Sequence, residues 1–374
     1  MRPFSRFSLI LLLMAAAISL FIASFAVRPR GIPLAAPLKT ERRVLLLPLD
    51  SRPPCLDFVA ALGRIAGIKI IAPPEDILDY YTKPGDTAAL QRWAQKNIAG
   101  CDYAILSVDQ LLSGGLLAAR EAHISAKDIA ALANDLRALH AAHPSIPLHA
   151  FYILPRAIPQ DGLEGWRERR ALLAYVRLLG RAGEGLPVDA EEMERLRGEF
   201  PPDYLQRYLA HFEESTALAS MLIELTEEGV LTRLVLGQDD GEEYSVGNLK
   251  KAELAAMLAQ KNIAPERAMI VHGADEIALS MLTRIALDEL RADGGAAPRI
   301  SLRYAGAGMD DAVFPFMAVS NDATAREKIA MLGASLVEDS EDRDLTLFIS
   351  AGDSNADTLG TRAPAAAAIR DMMA

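Results

Sequence analysis

Eight short apolar runs, each followed by a polar loop and most by a helix-like stretch, organise the chain between Val44 and Ser350 and leave it few ways to fold. The runs are Val44 to Leu49, Ile68 to Ala72, Tyr103 to Val108, Leu148 to Leu154, Leu234 to Gly237, Ala268 to Val271, Ile300 to Tyr304 and Leu345 to Ser350. None alternates apolar with polar residues, which is the pattern of strands covered on both faces and hence of a buried parallel sheet. Parallel neighbours need a crossover connection. Helical spacing supplies one at Thr87 to Ile98, Ala126 to Ala142, Lys250 to Lys261, Ile277 to Ala292 and Ala325 to Gly333. Ser125-Ala126-Lys127-Asp128 has the form of a helix-opening capping box with Asp in place of Glu. Eight such units predict a parallel (β/α)8-barrel-like domain with a helical insertion; a two-lobed doubly wound α/β arrangement of the same units is the alternative.

The insertion is read at 162–229, where Leu, Ala, Glu and Arg recur at helical spacing, broken near Gly180 to Pro187 and at Pro201-Pro202. Ahead of the domain, Arg2 and Arg6 precede an uncharged stretch from Ser8 to Val27, close to the roughly 20 residues a spanning helix needs. Ser24-Phe25-Ala26 offers the small residues of a cleavage site. Residues 1–27 are therefore expected to be a signal peptide or a membrane anchor, 28–42 a linker, 43–352 the α/β domain and 353–374 an Ala-rich tail. Both readings of the first segment place the working part outside the cytoplasm: secreted, periplasmic, or anchored to the membrane by residues 8–27.

A net charge of −11, with no Lys/Arg cluster interleaved with aromatics, argues against nucleic acid as a partner and disfavours polyanionic substrates. The two cysteines, Cys55 and Cys101, fall after the first strand and before the third, at opposite ends of a parallel sheet, so no disulfide is expected. A G-x-S-x-G elbow, an H-E-x-x-H helix and a CxxC pair are all absent from the sequence, which leaves carboxylate chemistry or plain binding of a small-molecule or glycan ligand.

Acidic or Arg residues recur just past the runs, at Asp50-Ser51-Arg52, Glu75-Asp76, Asp109-Gln110, Arg156, Asp239-Asp240, Asp275-Glu276, Asp310-Asp311 and Asp353. That edge of an α/β sheet is where ligands bind. An Asp there also caps the helix that follows, so each residue alone is ambiguous and the repetition carries the argument. Gly237-Gln238-Asp239-Asp240-Gly241-Glu242 has adjacent carboxylates that can supply an acid or base and its partner. Val271-His272-Gly273-Ala274-Asp275-Glu276 suits a ligand-binding loop, although a lone His is as often a packed residue. Ser113-Gly114-Gly115 could present backbone N–H groups, but lacks P-loop spacing. A polysaccharide-deacetylase reading of the Asp-Asp-Gly segment needs paired His residues, and His140 and His143 fall at the wrong edge.

Pro48-Leu49-Asp50-Ser51-Arg52-Pro53, Ala72-Pro73-Pro74-Glu75, Ser107-Val108-Asp109-Gln110-Leu111 with Ser113-Gly114-Gly115-Leu116 and Arg120, Gly237-Gln238-Asp239-Asp240, and Gly273-Ala274-Asp275-Glu276 together resemble the bacterial DUF4127 family. The resemblance implies that these positions form a shared site at strand ends. It brings no reaction. It also implies a further C-terminal segment, of which Asp353 to Gly360 is a partial match, so a C-terminally shortened member is expected.

These readings converge on a carboxylate-dependent hydrolase of the cell envelope acting on glycosidic bonds. In it Asp239 and Asp240 hold the general acid and its partner, and Asp275 or Glu276 the second carboxylate. Asp50, Arg52, Asp109, Arg120, Gln238 and His272 bind substrate. The alternatives are a non-catalytic extracytoplasmic sugar or metabolite binding protein, and a divalent-metal hydrolase with Mg2+ or Ca2+ on the carboxylates. No cofactor is otherwise expected, and the oligomeric state is left open.

Overall fold

The computed structural model describes residues 41–158, 166–239, 241, 244–313, 317–338 and 342–349. The segment 8–27, nearly all of the linker, Asp240, Asp353 and the Ala-rich tail lie outside the described residues. Among the described residues, no helix is long and apolar enough to cross a membrane.

All eight apolar runs contain strands: β1 (Arg42–Leu47), β2 (Ile68–Ile71), β3 (Tyr103–Ser107), β4 (Leu148–Leu154), β5 (Arg233–Gln238), β6 (Ala268–His272), β7 (Arg299–Tyr304) and β9 (Leu345–Ile349). A two-residue strand, β8 (Ser335–Leu336), is too short to leave a sequence pattern. Six strands form one parallel sheet in the order β2-β1-β3-β4-β5-β6. The expected barrel is corrected here. A closed barrel sets each strand between its sequence neighbours, whereas β3 pairs with β1 rather than β2. The sheet therefore keeps two edges, β2 and β6, and β7 starts a second parallel sheet, β8-β7-β9. Repeated βα units read alike in barrels and open sheets, because each presents the same both-face burial.

Strand alternation divides the core in two. Val44 and Leu46, Ile105, Phe151 and Ile153, Val235 and Val271 face α1 (Asp57–Ala66) and, far along the chain, the helix Ile277–Ala292. Leu45 and Leu47, Leu106, Ala150, Leu234 and Leu236 face the other way. They meet α2 (Thr87–Asn97), α5 (Ala126–Ala142), the end of α8 (Pro202–Glu227) and α9 (Val246–Gln260). The short helices α3 (Val108–Ser113) and α4 (Leu116–Ala119) follow β3. Phe151 is fully buried; cutting such a side chain to Ala removes about 3–5 kcal/mol.

The expected boundaries of α5 agree with the structure, and Ser125 and Asp128 form the capping box. The insertion holds α6 (Trp166–Gly183), α7 (Ala190–Arg197) and the first half of α8, packed on their own core of Leu172, Val176, Leu196, Phe200 and Phe212. Leu218, Leu222 and Leu225 in the second half of α8 belong to the sheet core, so one helix serves both as insertion and as the crossover to β5.

The helix Ile277–Ala292, α10, places the site. Its Glu289 accepts hydrogen bonds from Arg42 at the start of β1 (2.7 and 2.9 Å) and from Tyr103 at the start of β3. Its last turn is thus fixed at the N-terminal edge of the sheet, and the helix runs back so that Asp275 and Glu276 reach the C-terminal edge beside β1. The β7 sheet joins through α11 (Asn321–Leu332), where Ile329 and Met331 are buried. Cys55 and Cys101 are free and buried.

Candidate functional site

The strand order reverses between β1 and β3, and in open parallel sheets the crevice beyond such a reversal is where ligands sit. A cleft of about 900 Å3 opens there. The β1 loop gives Asp50 and Arg52, the segment after β2 gives Asp79, Tyr80 and Tyr81, and α4 with its end gives Leu116, Leu117 and Arg120. Asp239 follows β5, and Asp275 and Glu276 precede α10.

Most of these carboxylates have a cation. Arg52 donates to Asp50 (2.6 and 2.9 Å) and to Asp275 (2.6 and 3.1 Å), tying the β1 loop to the start of α10. Burial and these two carboxylates act on Arg52 together, and the bond to Asp50 dominates, raising its pKa. Arg120 is ion-paired with Asp239, and Lys328 with Glu276. Asp79 differs: its partners are the Ser51 N–H at 2.9 Å and the Ser51 hydroxyl at 3.4 Å. It is 92% covered by its surroundings, being 8% exposed. Burial, and then the nearby charge of Asp50, push its carboxyl up to about 6. Gly115, at φ +119°, makes this approach possible, since a Cβ there would lie 3.1 Å from the Asp79 carboxyl carbon.

Asp109 is placed behind the cleft rather than in it. It is fully buried, accepts the Ile153 N–H at 3.0 Å through Oδ2, and its Oδ1 has no hydrogen-bond partner among the described residues. Burial raises its pKa to about 7. Gln238 and His272 also point elsewhere, into a sealed network on the β5–β6 side. Lys251 donates to Gln238 Oε1 at 2.8 Å and lies 3.4 Å from His272 Nε2. His272 Nδ1 is 2.8 Å from Glu327. A proton on Nδ1 shared with Glu327 leaves Nε2 to accept from Lys251, whose own pKa burial lowers. Glu75 and Asp76 sit in a short 3-10 turn and do not line the cleft. Arg156 lines a separate cavity of about 240 Å3 beneath the insertion, which Arg120 shares. The Gly114 and Gly115 N–H groups bond back to Gln110 and Asp109 carbonyls, so they are not offered to a ligand.

The structure thus gathers Asp50, Arg52, Arg120, Asp239, Asp275 and Glu276 at one cleft. Sequence reasoning passed over Asp79, four residues beyond Glu75; the available signal was an Asp between the apolar Leu78 and the aromatic pair Tyr80-Tyr81. Donor atoms of Asp50, Cys55 and Asp275 lie within 4.8 Å of one another. They suit Mg2+ or Ca2+ poorly: Arg52 occupies both carboxylates, and burial raises the Cys55 pKa, keeping it a thiol rather than a hard oxygen donor. A family model described as "Protein of unknown function (DUF4127)" matches residues 44–374. No curated protein and no solved structure matches the chain.

Proposed function

The chain belongs to the DUF4127 family, whose description assigns no activity, and from the geometry of the cleft we propose a carboxylate-dependent hydrolase of the cell envelope that cleaves glycosidic bonds. One observation carries the reading: among the described cleft carboxylates, Asp79 alone has hydroxyl and N–H partners but no cation, and its pKa is raised to about 6. A carboxyl whose pKa is raised beside ion-paired carboxylates is the division of labour that glycoside hydrolysis needs. Asp79 delivers its proton to the leaving glycosidic oxygen as the bond to the anomeric carbon breaks. Asp239, oriented by Arg120, stabilises the positive charge on the sugar and takes the proton of the water that adds to that carbon. Arg52 and Asp275 hold hydroxyls at the rim, and the buried Asp50 fixes the Arg52 guanidinium.

The test is release of reducing ends from a panel of envelope and plant glycans by the full chain. Wild type is expected to turn over at least one glycan and Asp79→Asn to lose about 100-fold or more of kcat. Equal turnover by the two proteins would overturn the assignment. A second reading, an extracytoplasmic sugar or metabolite binding protein with two α/β lobes, is favoured by the open sheet and the separate β7 sheet. Saturable sugar binding by the wild type without turnover of any glycan would select it.

A further inference from the structure

The cleft carries two features that acid chemistry does not use. Tyr80 and Tyr81 are 80% and 79% exposed, the most exposed large apolar side chains among the described residues, and both line the cleft. They are held in place nonetheless. Tyr80 and Lys83 exchange two backbone hydrogen bonds of 2.9 Å, closing a tight turn. Buried Leu78 and Asp79 anchor that turn, Asp79 through Ser51. Tyr81 adopts φ +53°, a left-handed conformation uncommon for a bulky side chain. Leu117, 36% exposed, adds apolar surface to the same cleft.

An exposed aromatic pair on a fixed turn, sharing one cleft with carboxylates and guanidinium groups, matches a ligand with a flat apolar face and a hydroxylated edge. That is the shape of a pyranose ring, whose C–H face stacks on an aromatic ring while its hydroxyls reach acceptors and donors at the side. Resting on the hydrolase reading above, we propose that Tyr80 and Tyr81 form a stacking platform that selects a pyranose-containing oligosaccharide and sets it against Asp79. The platform residues bind; they donate no proton and touch no breaking bond.

Titration calorimetry on the full chain tests this with hexasaccharides of β-1,4-linked glucose and of β-1,4-linked N-acetylglucosamine, and with sorbitol as a hydroxyl-rich control that has no ring. Wild type is expected to bind at least one hexasaccharide and not sorbitol. Tyr80→Ala with Tyr81→Ala is expected to weaken that affinity by about 10- to 100-fold, roughly tenfold per ring, and Tyr80→Phe with Tyr81→Phe to retain it within about threefold. Retained affinity in the double Ala variant, or binding of neither hexasaccharide, overturns the platform; a surface that instead serves a protein partner gives that outcome. Asp79→Asn separates the two proposals, because it is expected to keep hexasaccharide affinity within about threefold while losing turnover.

Discussion

Two polar networks lie at the C-terminal edge of one sheet, and they differ in a way their sequences hide. On the cleft side, Arg52 joins Asp50 to Asp275 and Arg120 meets Asp239, with Arg52 half exposed. On the β5–β6 side, Gln238, Lys251, His272 and Glu327 form a connected set in which Gln238 and His272 are buried. Gln238 and Asp239 are adjacent in the chain, and His272 and Asp275 three apart, yet each pair is split between the two networks. Successive residues leave a strand on opposite faces, so one position decides whether a polar side chain meets substrate or holds the scaffold. Solvent access differs within the cleft as well: the Arg52–Asp275 pair is open and contributes little to stability, whereas Arg120–Asp239, like the β5–β6 set, is mostly covered and costly to break.

Three substitutions and one double-mutant cycle press on that difference. Asp239→Asn, at the cleft, is expected to lower turnover on a responsive glycan by about 100-fold or more and, because its pair with Arg120 is mostly covered, to remove about 1–3 kcal/mol of stability; urea denaturation alongside the rate assay reads both. Lys251→Met, on the β5–β6 side, should act on stability alone, removing about 2–4 kcal/mol by leaving Gln238 Oε1 and His272 Nε2 without their donor. Turnover per folded molecule should stay at the wild-type level.

Asp109 is fully buried with one carboxylate oxygen bonded to the Ile153 N–H and the other without a partner among the described residues, and its effect depends on pH. Its pKa is raised from 3.8 to about 7 by burial, so the fold prefers the protonated form. The stability this gives is fully present below pH 3.8 and is lost as pH rises to about 7. Asp109→Asn removes the titration. It is expected to match wild type in acid and to exceed it by about 1–3 kcal/mol above neutrality, as denaturation across pH would record. The smallest effect belongs to the pair Arg52–Asp275, whose side chains are 49% and 40% exposed. A double-mutant cycle there should return about 0.2–1 kcal/mol, falling with added salt.

Much of this architecture was legible in the chain. The eight runs became strands because both-face burial makes them continuously apolar, and Ile277 to Ala292 kept its expected boundaries as α10. The closure of the sheet was not legible, since strand order depends on which way each crossover turns and not on the pattern of any one unit. Of the residues proposed for the site, Asp50, Arg52, Asp239, Asp275 and Glu276 meet at the cleft because each follows a strand or opens a helix at the C-terminal edge of the sheet, and Arg120 joins them from the end of α4. Gln238, the last residue of β5, and His272, the last of β6, face away because they still obey strand alternation. Asp79 could not be singled out by the rule of strand ends; it reaches the cleft through a connection of several residues after β2, and its raised pKa comes from burial and from Asp50, both of which are tertiary.

The central claim, that Asp79 is the acid of a hydrolytic cleft, is tested most directly by the pH dependence of kcat/KM on a glycan the full chain cleaves. An alkaline limb set by a group titrating near pH 6 is expected, from burial beside Asp50, together with loss of turnover in Asp79→Asn with the fold intact. Activity that continues undiminished in Asp79→Asn, with the same alkaline limb, would contradict it.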